Sequence, residues 1–96
     1  MSSMSEQDVK DELRATADRL IKESRSPVKE ILKNKAPKGK SAKEHAKDQF
    51  WPHISRALTR KFLSANSDIS EKAEKVLPEV LEEAEKKVDE LIDSLK

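Results

Sequence analysis

Eleven basic side chains crowd residues 25–61 of this 96-residue chain: Arg25, Lys29, Lys33, Lys35, Lys38, Lys40, Lys43, Lys47, Arg56, Arg60 and Lys61. Only Glu30, Glu44 and Asp48 oppose them, so the segment carries a net +8, against −2 for residues 1–24 and −5 for residues 62–96. The overall charge of +1 conceals that dipole. Ammonium and guanidinium groups at this density suit phosphate. Each phosphate they neutralise releases condensed counterions, so binding is strong at low salt and largely blind to base sequence. Lys33, Lys35, Lys38, Lys40, Lys43 and Lys47 could follow an extended phosphate backbone. Arg56 and Arg60, four residues apart and so on one helix face, would extend the track with Lys61. The competing account of the same charges is a solvated surface whose bases pair with the acidic C-terminal helix of the same molecule.

Other chemistry-bearing residues are sparse. His45 and His53 are the only histidines, eight residues apart across Pro52. A metal would need further ligands such as Glu44, Asp48 or Glu30, and catalysis would need a nucleophile and an orienting carboxylate, none of which the spacing supplies. Trp51, Phe50 and Phe62 are the whole aromatic content. Trp51 is read first as a core residue at a corner, and second as an interface anchor or a platform for base stacking. Ser26-Pro27 has the form of a proline-directed phosphorylation site, although a helix cap explains the same residues. The acids of the C-terminal third are interleaved with Lys72, Lys75, Lys86 and Lys87. Pairs such as Glu82–Lys86 and Glu83–Lys87 read as ordinary helix-surface stabilisers.

Composition removes several classes. No cysteine is present, which excludes disulfides and thiolate chemistry. Gly39 is the single glycine, so glycine-rich phosphate loops and tight hairpins are not expected. No apolar run approaches the roughly 20 residues of a membrane span, and Met1-Ser2-Ser3-Met4 lacks a signal-peptide core. No enzyme activity, cofactor, metal or membrane association is expected, and the location implied is intracellular, whether cytoplasmic or nuclear/nucleoid.

The elements that must position these residues are helical. Residues 6–23 carry Val9, Leu13, Ala17, Leu20 and Ile21 at helical spacing, with Ser5 as cap. Ser26-Pro27 signals a second start, carrying Val28, Ile31 and Leu32. Residues 34–40, with Pro37 and Gly39, read as an exposed basic loop. Ser41 and Glu44 match a capping box that opens a helix carrying Ala46, Phe50, Ile54, Leu58 and Phe62, to be kinked or broken by Pro52. Asn66 reads as a helix end and Ser67-Asp68 as new caps. The final helix runs to the end of the chain with Ile69, Ala73, Val76, Leu77, Val80, Leu81, Ala84, Val88, Leu91, Ile92 and Leu95 as its stripe, and Pro78 poses the same choice as Pro52.

The run His53–Leu58 resembles the recognition helix of helix-turn-helix proteins in its apolar-Ser-Arg order, but the small alanine and turn glycine of that motif are missing upstream. Residues 27–34 resemble the first helix of histone folds, whose uninterrupted central helix Pro52 contradicts. No family follows from either. The chain is therefore read as a flexible N-terminus, 1–5, and a single all-α domain, 6–96: a compact bundle of four to five helices with the longest at the C-terminus. Its core is expected from Leu13, Leu20, Ile31, Leu32, Ile54, Leu58, Phe62, Leu77, Leu81, Val88, Leu91 and Leu95. The function expected is non-enzymatic nucleic-acid binding. The alternative is a protein-interaction module, such as an inhibitor, immunity-type, adaptor or host-takeover protein, acting as monomer or homodimer.

Overall fold

In a computed structural model describing residues 4–96, the chain forms three helices: α1 (Glu6–Lys33), α2 (Ala42–Arg60) and α3 (Ser67–Leu95). The expected flexible start overlaps residues 1–3, which lie outside the described residues. Ser5 and Met4 are placed. The Ser5 hydroxyl accepts from the Asp8 amide at 3.0 Å while the Asp8 carboxylate accepts from the Ser5 amide at 3.1 Å, a reciprocal box that closes the first turn of α1. Met4 packs against the core and its carbonyl accepts from Lys72 at 2.7 Å.

Three helices replace the expected four to five because none of the three internal prolines ends its helix. Pro27, Pro52 and Pro78 lie inside α1, α2 and α3 respectively. Each costs a backbone hydrogen bond and crowds the preceding turn. Buried residues flank each one: Ser24 and Val28 around Pro27, Trp51 and Ile54 around Pro52, Val76 and Val80 around Pro78, Trp51 being half-buried. Ending the helix would strip one flank of its partners, so packing overrides the local signal. All three prolines face solvent, where water can satisfy the carbonyl each leaves unbonded.

The caps adjust accordingly. At α2, the Ser41 hydroxyl accepts from the Glu44 amide at 3.1 Å, but the Glu44 carboxylate takes the serine hydroxyl at 3.4 Å and not its amide, so only half of the expected box forms. Asn66, expected to end a helix, instead caps α3, accepting from the Ile69 amide at 3.0 Å. Between α1 and α2, Lys40 donates its amide to the Pro37 carbonyl at 3.1 Å, and Gly39, at φ +88°, takes the left-handed position the turn requires.

The helices run up, down and up, all three packing against one another, in a body 51 × 20 × 18 Å. So slender a bundle favours small side chains on its axis. Val9, Leu13, Ala17, Ile21 and Val28 of α1, Ala46, Ile54 and Leu58 of α2, and Val76, Val80, Ala84, Val88 and Ile92 of α3 are buried. Of the expected core, Leu13, Ile54, Leu58 and Val88 are buried, whereas Leu20, Ile31, Leu32, Phe62, Leu77, Leu81, Leu91 and Leu95 form half-buried shoulders. The buried residues of α3 all belong to its expected stripe, with the leucines of that stripe flanking them as shoulders. Thr16 and Ser24, also buried, donate their hydroxyls to the carbonyls of Glu12 and Leu20 at 2.9 and 2.7 Å.

A stagger lengthens the body. Lys10 pairs with Glu79 at 2.6 Å, Arg14 with Glu83 at 2.8 Å and Asp18 with Lys87 at 2.7 Å, always 69 residues apart, so α1 and α3 are parallel neighbours in fixed register. Extending that register puts the end of α3 beside about residue 26 of α1, at 1.5 Å per residue along each helix. The last two turns of α1 and the loop after it therefore project past α3. At the other end, the first turns of α3 project past the start of α1.

Candidate nucleic-acid interface

The fold separates the nine expected phosphate-binding residues into three circumstances. Lys40, Lys43, Lys47 and Lys61 are engaged by acids from elsewhere in the chain. Lys43 lies 2.9 Å from Asp93; Lys47 lies 2.9 Å from Glu85 and 3.2 Å from Asp89; Lys61 lies 3.4 Å from Glu12; and Lys40 bonds Asp48. The Lys47 ammonium is held above the ordinary lysine range chiefly by its hydrogen bond to Glu85, and that of Lys40 by its bond to Asp48. The Oδ1 of Asp89 is buried, with the Lys47 ammonium as its counter-charge. A phosphate approaching Lys47 must displace two carboxylates.

Arg56 and Arg60 form no ion pair among the described residues, but they stand near the far end of α2. Thirteen helical residues separate Lys43 from Arg56, about 20 Å along the axis. The two arginines therefore stand apart along the helix axis from the lysines of the loop and the start of α2.

Lys33, Lys35 and Lys38 remain at the projecting end. Lys35 and Lys38 are exposed without an ion pair among the described residues, and Lys33 meets only Glu30 at 3.4 Å across a well-solvated gap. Because α1 continues through Pro27, these lysines acquire neighbours that the sequence reading left off the site. Lys22, Arg25, Lys29 and Lys33 recur at steps of three, four and four, which places them on one face of α1. All four are exposed. The stripe is about 16 Å long at the helical rise and passes directly into the loop carrying Lys35 and Lys38. The acids closest in sequence are already engaged: Asp18 by Lys87, Glu23 by Arg19 at 3.3 Å and Glu30 by Lys33. The acidic flank of α3 ends near residue 26 of α1, so Lys22 and Arg25 stand beside its last turns while Lys29 and Lys33 lie beyond it. The signal for it was present in the spacing, but an expected restart at Pro27 cut it in two.

The remaining candidates do not converge. His45 is half-buried and His53 exposed, on one helix eight residues apart, and among the described residues no group of three or more histidines and carboxylates is placed to hold a metal ion. Trp51 is half-buried and packs against the core. Among the described residues no helix is long and apolar enough to cross a membrane. Ser26 is exposed within α1, one residue before Pro27. A groove of about 250 Å³ lies between the end of α2 and the start of α3, lined by Leu58, Phe62, Ala73 and Leu77, with Leu63 74% exposed at its edge. No protein-family model, curated protein or solved structure matches the chain.

Proposed function

We propose that the chain is a small non-enzymatic protein that binds nucleic acid through the phosphate backbone, with the projecting end of the bundle as its contact surface. One observation carries this reading: Lys22, Arg25, Lys29 and Lys33 share one exposed face of α1 that continues into Lys35 and Lys38, and from Lys29 onward these bases lie beyond the end of α3. Six bases in this arrangement suit a sequence-independent grip, because point charges on flexible stems neutralise phosphates without reading base edges. Lys43, Lys47 and Lys61 then serve mainly to hold the helices together, and Lys40 to fasten the loop to α2. A fluorescence-anisotropy titration against labelled duplex and single-stranded DNA tests the reading. Micromolar or tighter binding that weakens steeply as salt rises is expected, and no binding at low salt overturns it.

A second reading, a protein-interaction module, is favoured by the exposed Leu63 beside its apolar groove, a combination unusual on a surface so rich in charge. A pull-down that depends on Leu63 is the outcome it expects.

A further inference from the structure

The groove between α2 and α3 has two lips of opposite sign. On the α2 side, Arg56 and Arg60 are exposed, stand one turn apart, and lie three residues before the lining residues Thr59 and Leu63. On the α3 side, Glu74 lines the groove and Glu71 stands one turn before it, both exposed. None of these four forms an ion pair among the described residues, whereas most charges along the sides of the bundle do. Between the lips lie a hollow lined by Leu58, Phe62, Ala73 and Leu77, and the protruding Leu63.

We infer that this face pairs with a second copy of the same chain. A knob beside a hollow, flanked by one basic and one acidic lip, is complementary to itself under a two-fold rotation, the commonest symmetry of protein dimers. The axis must run along the groove. A rotation about that direction sets the Arg56/Arg60 lip of each copy against the Glu71/Glu74 lip of the other and brings each Leu63 to the other's hollow. A two-fold axis across the groove would set like charges together, which is costly. The selected arrangement keeps equivalent helices parallel, so both lysine-bearing loops emerge at one end of the dimer. The inference rests on the protein-docking reading of the groove and is independent of phosphate binding, since it uses none of the residues of the α1 stripe.

Sedimentation equilibrium of the full chain from micromolar to millimolar concentration tests it. The mass should rise from 10.9 kDa toward twice that value. Leu63→Asp should weaken association by roughly 10-fold or more, the equivalent of exposing a leucine side chain. Arg60→Glu alone should also weaken it, by setting like charges across the interface, and Arg60→Glu combined with Glu74→Arg should restore it. These side chains are exposed, and circular dichroism checks that each variant is folded. A protein that stays monomeric at millimolar concentration overturns the proposal while leaving a different protein partner for the groove, which the Leu63-dependent pull-down reports separately. A dimer that Leu63→Asp leaves intact, or that the double charge exchange fails to restore, also overturns it, because it would use another face.

Discussion

Lys29 and Lys47 belong to the same basic segment, and the fold gives them opposite circumstances. Lys29 stands on the open face of α1 with no ion pair among the described residues, and Lys47 bridges Glu85 and Asp89 across the α2–α3 seam. Replacing Lys47 by Ala should lower stability by about 1 kcal/mol, the upper range for a partly exposed ion pair, and so lower the melting temperature by about 4–8 °C for a domain of this size. Its affinity for nucleic acid should stay close to that of the parent protein. Lys29→Ala should do the reverse, leaving thermal unfolding unchanged and weakening binding at low salt. A melting curve and a binding curve for each variant check both expectations, and equal effects of the two substitutions on binding would show that the ion pairs do not shield Lys47.

At the scale of the element, the three internal prolines set the architecture. Pro52 deprives the Asp48 carbonyl of its helical partner, so Pro52→Ala should stabilise the protein by roughly 1–2 kcal/mol, the regained hydrogen bond and steric relief being partly offset by a more flexible unfolded chain. A lower melting temperature for that variant would mean that proline is needed to shape α2. Asn66→Ala should destabilise by about 1 kcal/mol, since it removes the cap of α3. The all-α class, the loop at 34–40 and the amphipathic faces were legible in the sequence, because periodic apolar residues and the Pro37–Gly39 turn chemistry act locally. Continuity through Pro27, Pro52 and Pro78 was not, because it depends on partners from other helices on both sides of each proline. Pairing of basic residues with the acidic C-terminal helix was the competing expectation, but which lysines pair, and the stagger that leaves Lys29 and Lys35 clear of α3, were hidden for the same reason: both follow from register between helices. Which members of the α3 stripe reach the axis, Val80 and Ala84 ahead of Leu77 and Leu81, reflects the narrow cross-section, which no single helix encodes.

For the whole molecule, ion pairs between helices tie stability to pH at both extremes. Glu83 is held below the ordinary glutamate value of 4.5, chiefly by its hydrogen bond to Arg14, and Asp8 below 3.8 by the Ser5 backbone and hydroxyl. A carboxylate with a depressed folded pKa contributes stability that is present above its unfolded pKa and lost as pH falls through the folded one. Lys47, raised above 10.5, contributes in the opposite sense, and its share is lost as pH rises through that raised value. Urea midpoints should therefore be nearly level through neutral pH and fall below pH 4.5 and above pH 10.5. In Arg14→Ala the loss on the acid side should be smaller, because the Glu83 carboxylate no longer gains a partner on folding.

The division of labour among the lysines is tested most directly by the salt dependence of DNA binding. The slope of log affinity against log salt concentration would be compared for the parent protein, for Lys29→Ala/Lys35→Ala/Lys38→Ala and for Lys43→Ala/Lys47→Ala. A phosphate grip at the projecting end predicts that the first set flattens the slope by about 0.9 per lysine on duplex DNA and that the second set leaves it near the parent value. An unchanged slope in the first set, or an equal loss in the second, would contradict it.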